Sequence, residues 1–288
     1  MVECQESDFR LVGADYRIHV PREKKSGLRE RLKGKPIISL VLLSLLLLGC
    51  VFAGQLANHD ASGFYLQNLN EAPSAEFLFG TDSLGRDIYS MIWYGCRTSL
   101  AVGLIGAAVI AVIGTVYGCI SGTVGERMDS LMMRFTELCG SIPTLLFVLI
   151  LSALFDTNSV VSIALVIGVT GWFGLARIVR SEVRQIRNSD YVLYARCCGG
   201  KFIYVMLRHL VPNFISSVMF VIVSSISSCI TMESTMSFLG LGLPTTVISL
   251  GSMLSLANKA LIMNTWWVII FPGAFCLVLL MCITNGGA

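Results

Sequence analysis

The chain has 288 residues, of which 55% are hydrophobic and 14% are charged, with a mean hydropathy of +0.75 and a formal net charge of +3. So little polar surface cannot coat a soluble globule of this length, and a soluble domain is therefore excluded. The composition predicts an integral membrane protein.

Seven long runs lack Asp, Glu, Lys and Arg, and each approaches or exceeds the roughly 18–20 residues that a spanning helix needs. These runs are 36–58, 98–125, 138–155, 157–176, 210–232, 234–258 and 260–288. Six of them predict transmembrane helices. The run 234–258 contains several glycines, a proline and many hydroxyl side chains, and we interpret most of it as a loop or re-entrant segment.

Basic residues are distributed unevenly between the predicted spans. With six spans, 18 of the 21 Lys and Arg residues fall on one side, within 1–35, 125–137 and 177–209. The positive-inside rule places that side and both termini in the cytoplasm. The net charge therefore reflects membrane topology, and no nucleic-acid partner is expected.

Two regions follow from this topology. Residues 1–35 are predicted to form a basic cytoplasmic segment near anionic headgroups of the lipid bilayer, and residues 36–288 a transmembrane domain. Within that domain, 58–97 is the external segment and 177–211 a cytoplasmic loop. A basic stretch before an apolar run also resembles a secretory signal peptide, but both parts are too long, so we predict a retained first span.

Motifs for catalysis and metal binding are absent from the sequence. The ten cysteines show no CxxC spacing, and most lie in apolar runs, which is typical of thiols that pack as small hydrophobic groups. The phosphate-binding motif GxxxxGK[ST] is missing, as are HExxH and GxSxG. We therefore predict a non-catalytic chain that binds no cofactor and no metal. An intramembrane enzyme with a dispersed site is the weaker alternative.

Small residues and one acidic residue stand out within the apolar runs. Gly114, Gly118 and Gly122 recur every four residues, which forms two overlapping GxxxG patterns typical of closely packed helices. Glu233 is flanked by long uncharged runs, and a carboxylate in lipid normally faces a cavity or a partner. Its predicted place near the outer end of a span leaves an interfacial position equally open. These four residues are candidates for lining a pathway or for helix packing.

The cytoplasmic loop contains a short predicted helix. Ser189 can cap it, Asp190 lies in its first turn, and Gly199 and Gly200 end it. One apolar face is formed at i, i+3, i+4 and i+7 by Tyr191, Tyr194, Ala195 and Cys198. This pattern fits either a membrane-surface linker or a helix that is presented to a partner protein.

The stretch SDYVLYARCCGGKFIYVMLRHLVPN, residues 189–213, resembles the cytoplasmic loop of ATP-binding-cassette importer permeases. That loop usually reads E-A-A-x-x-x-G and is followed by a hydrophobic stretch and L-P. On this match Leu193, Tyr194 and Ala195 occupy the E-A-A positions and Gly199 the glycine. Only Ala195 and Gly199 keep the residue types of the family.

Five further motifs resemble the second, C-type permease of dipeptide, oligopeptide and nickel importers. They are GTDSLGRD (80–87), WYGCRTSL (93–100), ARIVRSEV (176–183), SFLGLGLP (237–244) and WWVIIFPG (266–273). The resemblance implies a type I importer permease fold with six transmembrane helices and cytoplasmic termini, in a bacterial plasma membrane. It also implies three kinds of partner: a second homologous permease, two ATPase subunits that carry ATP and magnesium, and an extracytoplasmic substrate-binding protein. The implied cargo is a short peptide, nickel or another metal chelate.

The same resemblance implies that the loop helix docks on an ATPase subunit and couples its closure to alternating access. The implied coupling residues are Asp190, Tyr191, Leu193, Tyr194, Ala195, Arg196 and Gly199. The family usually continues beyond the last span into a short polar tail, so the end at Ala288 is either a truncation or a subfamily trait. The alternative is a stand-alone secondary carrier or channel, although no convincing repeat relates 37–155 to 159–285.

Overall fold

The computed structural model describes residues 37–155, 159–187, 211–244 and 246–286, together with seven single residues of the 188–210 loop. The predicted segment 1–35 lies outside the described residues. Eleven helices lie within the continuous described ranges. They are α1 Ile37–Val51, α2 Ala53–Leu56, α3 Ile88–Thr123, α4 Glu126–Gly140, α5 Thr144–Leu154, α6 Val160–Gly171, α7 Phe173–Ile186, α8 Val211–Phe238, α9 Leu250–Leu254, α10 Ala257–Ile262 and α11 Trp267–Gly286.

The prediction of an all-helical membrane protein is confirmed. Three helices are long and apolar enough to cross a membrane, namely α3, the Val218–Phe238 part of α8, and α11. Two bent pairs, α4 with α5 at 86° and α6 with α7 at 48°, raise this number to five if each pair is one span. Helix α1 is apolar but shorter, so the described helices show three to five candidate spans where six were predicted.

The predicted helix over 138–155 is interrupted. Helix α4 ends at Gly140, Ser141 and Ile142 follow, and Pro143 directly precedes α5. Proline has no backbone N–H to donate and disfavours helical backbone in the residue before it, so one continuous helix does not form. The chain turns by 86° at this point.

Helix α3 is the central helix, and its small residues allow close packing. A Cβ atom added at Gly118 would lie 2.6 Å from the backbone oxygen of Ala176 and 2.7 Å from Cβ of Val179. A Cβ at Gly114 would lie 3.0 Å from Cβ of Leu175, and a Cβ at Gly122 would lie 2.7 Å from Cγ1 of Val183. The three predicted glycines therefore form one stripe against α7.

The segment after α8 does not form a spanning helix. Helix α8 ends at Phe238, and Gly240 adopts a left-handed φ of +76° that favours glycine. The chain then forms the short helices α9 and α10 before it enters α11 at Trp267. These short helices agree with the interpretation of this region as a loop or re-entrant segment.

The two ends of the bundle differ in chemistry. At the aromatic end, the rings of Phe79 and Phe271 stack with centroids 4.2 Å apart, and Trp267 Nε1 donates to the backbone oxygen of Thr81 at 3.1 Å. Helix α3 also begins there, where the Asp87 side chain accepts from the backbone N–H of Ser90 at 3.1 Å. Residues 88–97 of the predicted external segment are therefore helical. The charged end contains the last residues of α3, the start of α4 and most of α7.

Candidate functional site

Helix α7 leads directly into the 188–210 loop and has two distinct faces. Its apolar residues Leu175, Ala176, Val179 and Val183 are buried in the main hydrophobic core. Arginines at positions 177, 180, 184 and 187 recur at helical spacing and lie toward the charged end. This helix therefore connects the loop physically to the packed core.

Asp129, at the start of α4, forms ion pairs with two arginines of α7. Its Oδ1 lies 2.5 Å from Arg180 Nε, and its Oδ2 lies 2.5 Å from Arg180 Nη2 and 2.7 Å from Arg184 Nη2. The Ser121 hydroxyl of α3 also donates to Oδ1 at 2.5 Å. We name these four residues the Asp129 cluster, and it joins α3, α4 and α7.

The electrostatics of the Asp129 cluster favour the ionised carboxylate. Asp129 and Arg180 lie among charged residues, outside the charge-free runs 98–125, 138–155 and 157–176. Hydrogen bonds from Arg180, and secondarily from Ser121, lower the pKa of Asp129 from 3.8 to about 2, although burial acts in the opposite direction. The same carboxylate raises the pKa of Arg180. A nearby bond from Arg187 Nη1 to the Gly122 oxygen, at 3.0 Å, adds a further contact between α7 and α3.

Two of the seven predicted coupling residues are described. Tyr194 is 74% exposed, and Gly199 has a φ of +79°, the left-handed conformation that glycine adopts at helix ends. The neighbouring Val192 is fully buried in the main core. The other five lie outside the described residues: Asp190, Tyr191, Leu193, Ala195 and Arg196.

Glu233 of α8 is completely buried and is surrounded by serine hydroxyls. Its Oε1 accepts hydrogen bonds from Ser249 at 2.7 Å and Ser237 at 2.8 Å. Its Oε2 accepts from Ser99 at 3.2 Å and Ser234 at 3.4 Å. Ser99 lies in α3, Ser234 and Ser237 lie in α8, and Ser249 caps α9. The Glu233 carboxylate therefore joins three elements.

The serine hydroxyls are oriented to donate to Glu233. The oxygen of Ser99 accepts from the backbone N–H of Leu250 at 3.3 Å, and that of Ser249 accepts from the backbone N–H of Ser252 at 3.0 Å. Each hydroxyl therefore keeps its single proton for the carboxylate. Hydroxyl donors replace a counter-cation, since within the described ranges no Lys or Arg contacts Glu233.

Another face of α8 carries exposed hydroxyl groups. Ser228, Thr231 and Thr235 each donate to the carbonyl oxygen four residues earlier, at 3.2, 2.8 and 2.7 Å. Of these three residues, Ser228 also lines a cavity of about 270 Å³, and no charged side chain of the described residues lines that cavity. It is lined by Ile110, Thr144, Ile167, Gly171, Ser225, Ser228, Cys229 and Met232.

Sequence reasoning did not identify the Asp129 cluster or the hydroxyl face of α8. A sequence signal exists for each of them. Arg180 and Arg184 lie four residues apart on one helix face, and Ser228, Thr231 and Thr235 recur at spacings of three and four. The sequence did not indicate which carboxylate binds the two arginines, because Asp129 is 51 residues away from Arg180.

Comparison with known proteins identifies the class. Residues 114–286 match the family described as "Binding-protein-dependent transport system inner membrane component". The oligopeptide transport system permease protein OppC of Bacillus subtilis is 34% identical over 92% of this chain and 84% of its own length. The dipeptide transport system permease protein DppC of Bacillus subtilis is 37% identical, over 82% and 73% respectively. OppC of Haemophilus influenzae is 39% identical, over 74% and 69%.

The chain therefore belongs to the family of binding-protein-dependent inner membrane transport components. More particularly, it is a C-type permease subunit of an ATP-binding-cassette importer, as the sequence motifs predicted. It is a multi-pass protein of the bacterial plasma membrane, it works in a complex with ATPase and binding-protein partners, and it is not an enzyme.

Proposed function

We propose that this permease subunit imports short peptides. The observation that carries this proposal is the similarity to OppC and DppC, whose names specify oligopeptide and dipeptide transport, over 92% and 82% of the chain. The uncharged, hydroxyl-bearing cavity beside α8 supports it. Hydroxyl groups can exchange hydrogen bonds with peptide groups of any sequence, while the lack of charge avoids strong retention of one cargo.

Nickel or another metal chelate is the competing cargo. Within the described residues, no group of three or more His, Cys, Asp and Glu side chains is placed to hold a metal ion. A cargo that enters as a complete chelate needs no such group. The transport experiment below therefore distinguishes the two cargoes.

The proposed topology has six spans in a type I importer permease fold, with both termini and the charged end in the cytoplasm. Helix α1 supplies the additional span beside the three spanning helices and the two bent pairs. The distribution of Lys and Arg supports this orientation, because the charged end contains the arginines of α4 and α7.

The proposed assembly contains a second homologous permease, two ATPase subunits that bind ATP and magnesium, and an extracytoplasmic binding protein. The loop helix at 190–199 docks on an ATPase subunit. Its displacement reaches α7, and α7 carries it to α3 and α4 through the glycine stripe and the Asp129 cluster. Close packing and a two-point ion pair make these helices move together, because neither contact tolerates sliding.

For Glu233 we propose a packing role. Its carboxylate is fully enclosed and already accepts four hydroxyl hydrogen bonds, so no face remains for cargo. It fixes the segment that contains α9 against α3 and α8. The transport pathway instead follows the hydroxyl face of α8.

Transport by the complete complex in proteoliposomes tests this proposal. The binding protein is added outside, ATP is enclosed inside, and uptake of a radiolabelled dipeptide and an oligopeptide is measured with and without a nickel chelate as competitor. We expect peptide uptake that requires both ATP and the binding protein and that the chelate does not reduce. Uptake driven by an ion gradient without ATP would support the secondary-carrier alternative. Uptake of the nickel chelate without uptake of either peptide would show that the cargo is a metal chelate.

A further inference from the structure

Arg97 is an exposed cation inside a long apolar helix. It is the tenth residue of α3, and within the described residues no carboxylate, carbonyl or hydroxyl group contacts its side chain. A charge placed within a membrane is costly unless it reaches a partner or the headgroup layer. The position of Arg97 therefore requires a compensating group.

The depth of Arg97 places the headgroup layer within its reach. Trp93, four residues earlier and so about 6 Å closer to the start of the helix, packs edge-on against the rings of Tyr89 and Phe275. Tryptophan and tyrosine rings concentrate at membrane interfaces. A guanidinium one turn deeper can extend along its aliphatic stem to a lipid phosphate.

An apolar groove begins directly beside Arg97. It has a volume of about 290 Å³ and runs between α1 and α3. Apart from Arg97, its lining consists of aliphatic side chains and one thiol: Leu47, Cys50, Val51, Leu100, Ala101 and Leu104. The groove thus combines one cation with a surface suited to a hydrocarbon chain.

The surroundings of the groove match acyl chains rather than cargo. The adjoining face of α1 is aliphatic and exposed, with Leu45 at 58%, Leu48 at 54% and Val51 at 71%. The hydroxyl-bearing cavity lies elsewhere, between α3, α5, α6 and α8. A second apolar groove, of about 420 Å³ between α5 and α6, has no cation in its lining and serves as an internal comparison.

We propose that Arg97 and this groove form a binding site for one anionic phospholipid. The guanidinium binds the phosphate by charge-assisted hydrogen bonds, and one acyl chain lies along the α1–α3 groove. The lipid then neutralises Arg97 and fills the space between α1 and the central helix. This site depends on the membrane location of the chain and is independent of which cargo it carries.

The test measures lipid retention by the complete transporter complex. The complex is placed in nanodiscs that contain phosphatidylglycerol and phosphatidylcholine, and bound lipids are counted by native mass spectrometry after release into detergent. Neither cargo nor ATP is present, so this readout is separate from the transport proposal. Arg97→Gln should reduce phosphatidylglycerol retention about tenfold, the effect of losing one charge-assisted contact, with phosphatidylcholine unchanged.

Two further variants make the result specific. Arg97→Lys keeps the cation and should retain most of the phosphatidylglycerol. Lys259→Gln removes another exposed cation, which lies outside this groove, and should behave as the wild type. Equal phosphatidylglycerol retention in the wild type and Arg97→Gln would overturn the proposal. So would cross-linking that shows the second permease subunit covering Arg97 in the assembled complex.

Discussion

The Arg180 guanidinium and the Asp129 carboxylate form a two-point ion pair, with Nε to Oδ1 and Nη2 to Oδ2 distances of 2.5 Å each. Two parallel hydrogen bonds fix both the separation and the orientation of the planar groups. The pair therefore holds α7, the helix before the 188–210 loop, in a defined position against α4. Because Ser121 contacts the same carboxylate, α3 is held as well.

Arg180→Gln should destabilise the charged end and weaken coupling. Removing one partner leaves Asp129, which is 3% exposed, without its main cation. We expect a loss of about 1–3 kcal/mol in stability, seen as a lower midpoint of thermal unfolding of the complex, and fewer peptides imported per ATP. Arg177→Gln removes an exposed cation from the same helix and is the matched control. Equal thermal midpoints and equal coupling in the two variants would contradict the role of the pair.

The stabilisation from Asp129 should depend on pH in one direction only. Since its pKa is lowered from 3.8 to about 2 in the folded protein, the contribution is complete above 3.8 and is lost as the pH falls toward 2. The difference in thermal midpoint between the wild type and Asp129→Asn should therefore be constant from about pH 8 to about pH 5. It should shrink below that range. If the difference in thermal midpoint between the wild type and Asp129→Asn grew as the pH fell, the predicted direction of the pH dependence would be wrong.

Gly118→Ala should separate α3 from α7. The added Cβ would lie 2.6 Å from the Ala176 oxygen, and backbone cannot move aside as a flexible side chain can. We expect a loss of about 1–3 kcal/mol, measured by thermal unfolding, and slower transport. Gly174→Ala is the control, because a Cβ there meets nothing within 4 Å. That control should be neutral, or more stable by up to about 1 kcal/mol because alanine favours helix.

Glu233→Ala should loosen the segment around α9. It removes the shared acceptor of four serine hydroxyls and leaves a cavity, at a cost of about 2–4 kcal/mol. Glu233→Gln keeps the shape and one acceptor oxygen, so its loss should be smaller. Limited proteolysis of residues 239–249 and the thermal midpoint are the measurements. Thr235→Ala, on the exposed side of the same helix, is the control. A protease pattern for Glu233→Ala that matches this control would argue against the packing role.

Sequence reasoning predicted the class of protein because its signals are local. Long charge-free runs, glycine spacing and short motifs each lie within a few turns of one helix. The break at Pro143 shows the limit of this approach: the hydropathy of 138–155 is continuous, and only backbone chemistry divides it. Hydropathy alone therefore overestimates the continuity of helices.

The site contacts could not be predicted from the sequence because they join distant residues. Glu233 was recognisable as a costly charge, but its bond to Ser99 crosses 134 residues of chain. Spacing likewise groups Gly174 with Gly168 and Gly171, yet a Cβ at Gly168 would lie 2.6 Å from Val109 while Gly174 faces open space. Whether a glycine of this helix row meets a neighbouring helix or open space depends on how the helices are rotated about their axes.

Substitutions in the 188–210 loop test the proposed coupling most directly. Gly199 adopts a φ of +79°, which proline cannot reach because its ring fixes φ near −65°. Gly199→Pro should therefore distort the end of the predicted loop helix, and Ala195→Asp should place a charge on the apolar face that the sequence predicts for this helix. Cys197→Ser changes an exposed residue of the same loop and is the control.

The decisive measurement is the ratio of peptide imported to ATP hydrolysed by the complete complex in proteoliposomes. If the loop helix couples the ATPase to the membrane helices, Gly199→Pro and Ala195→Asp will lower this ratio strongly while hydrolysis, membrane insertion and the Cys197→Ser control stay close to the wild type. If both variants import peptide at the wild-type ratio, the loop does not carry the coupling and the account is contradicted.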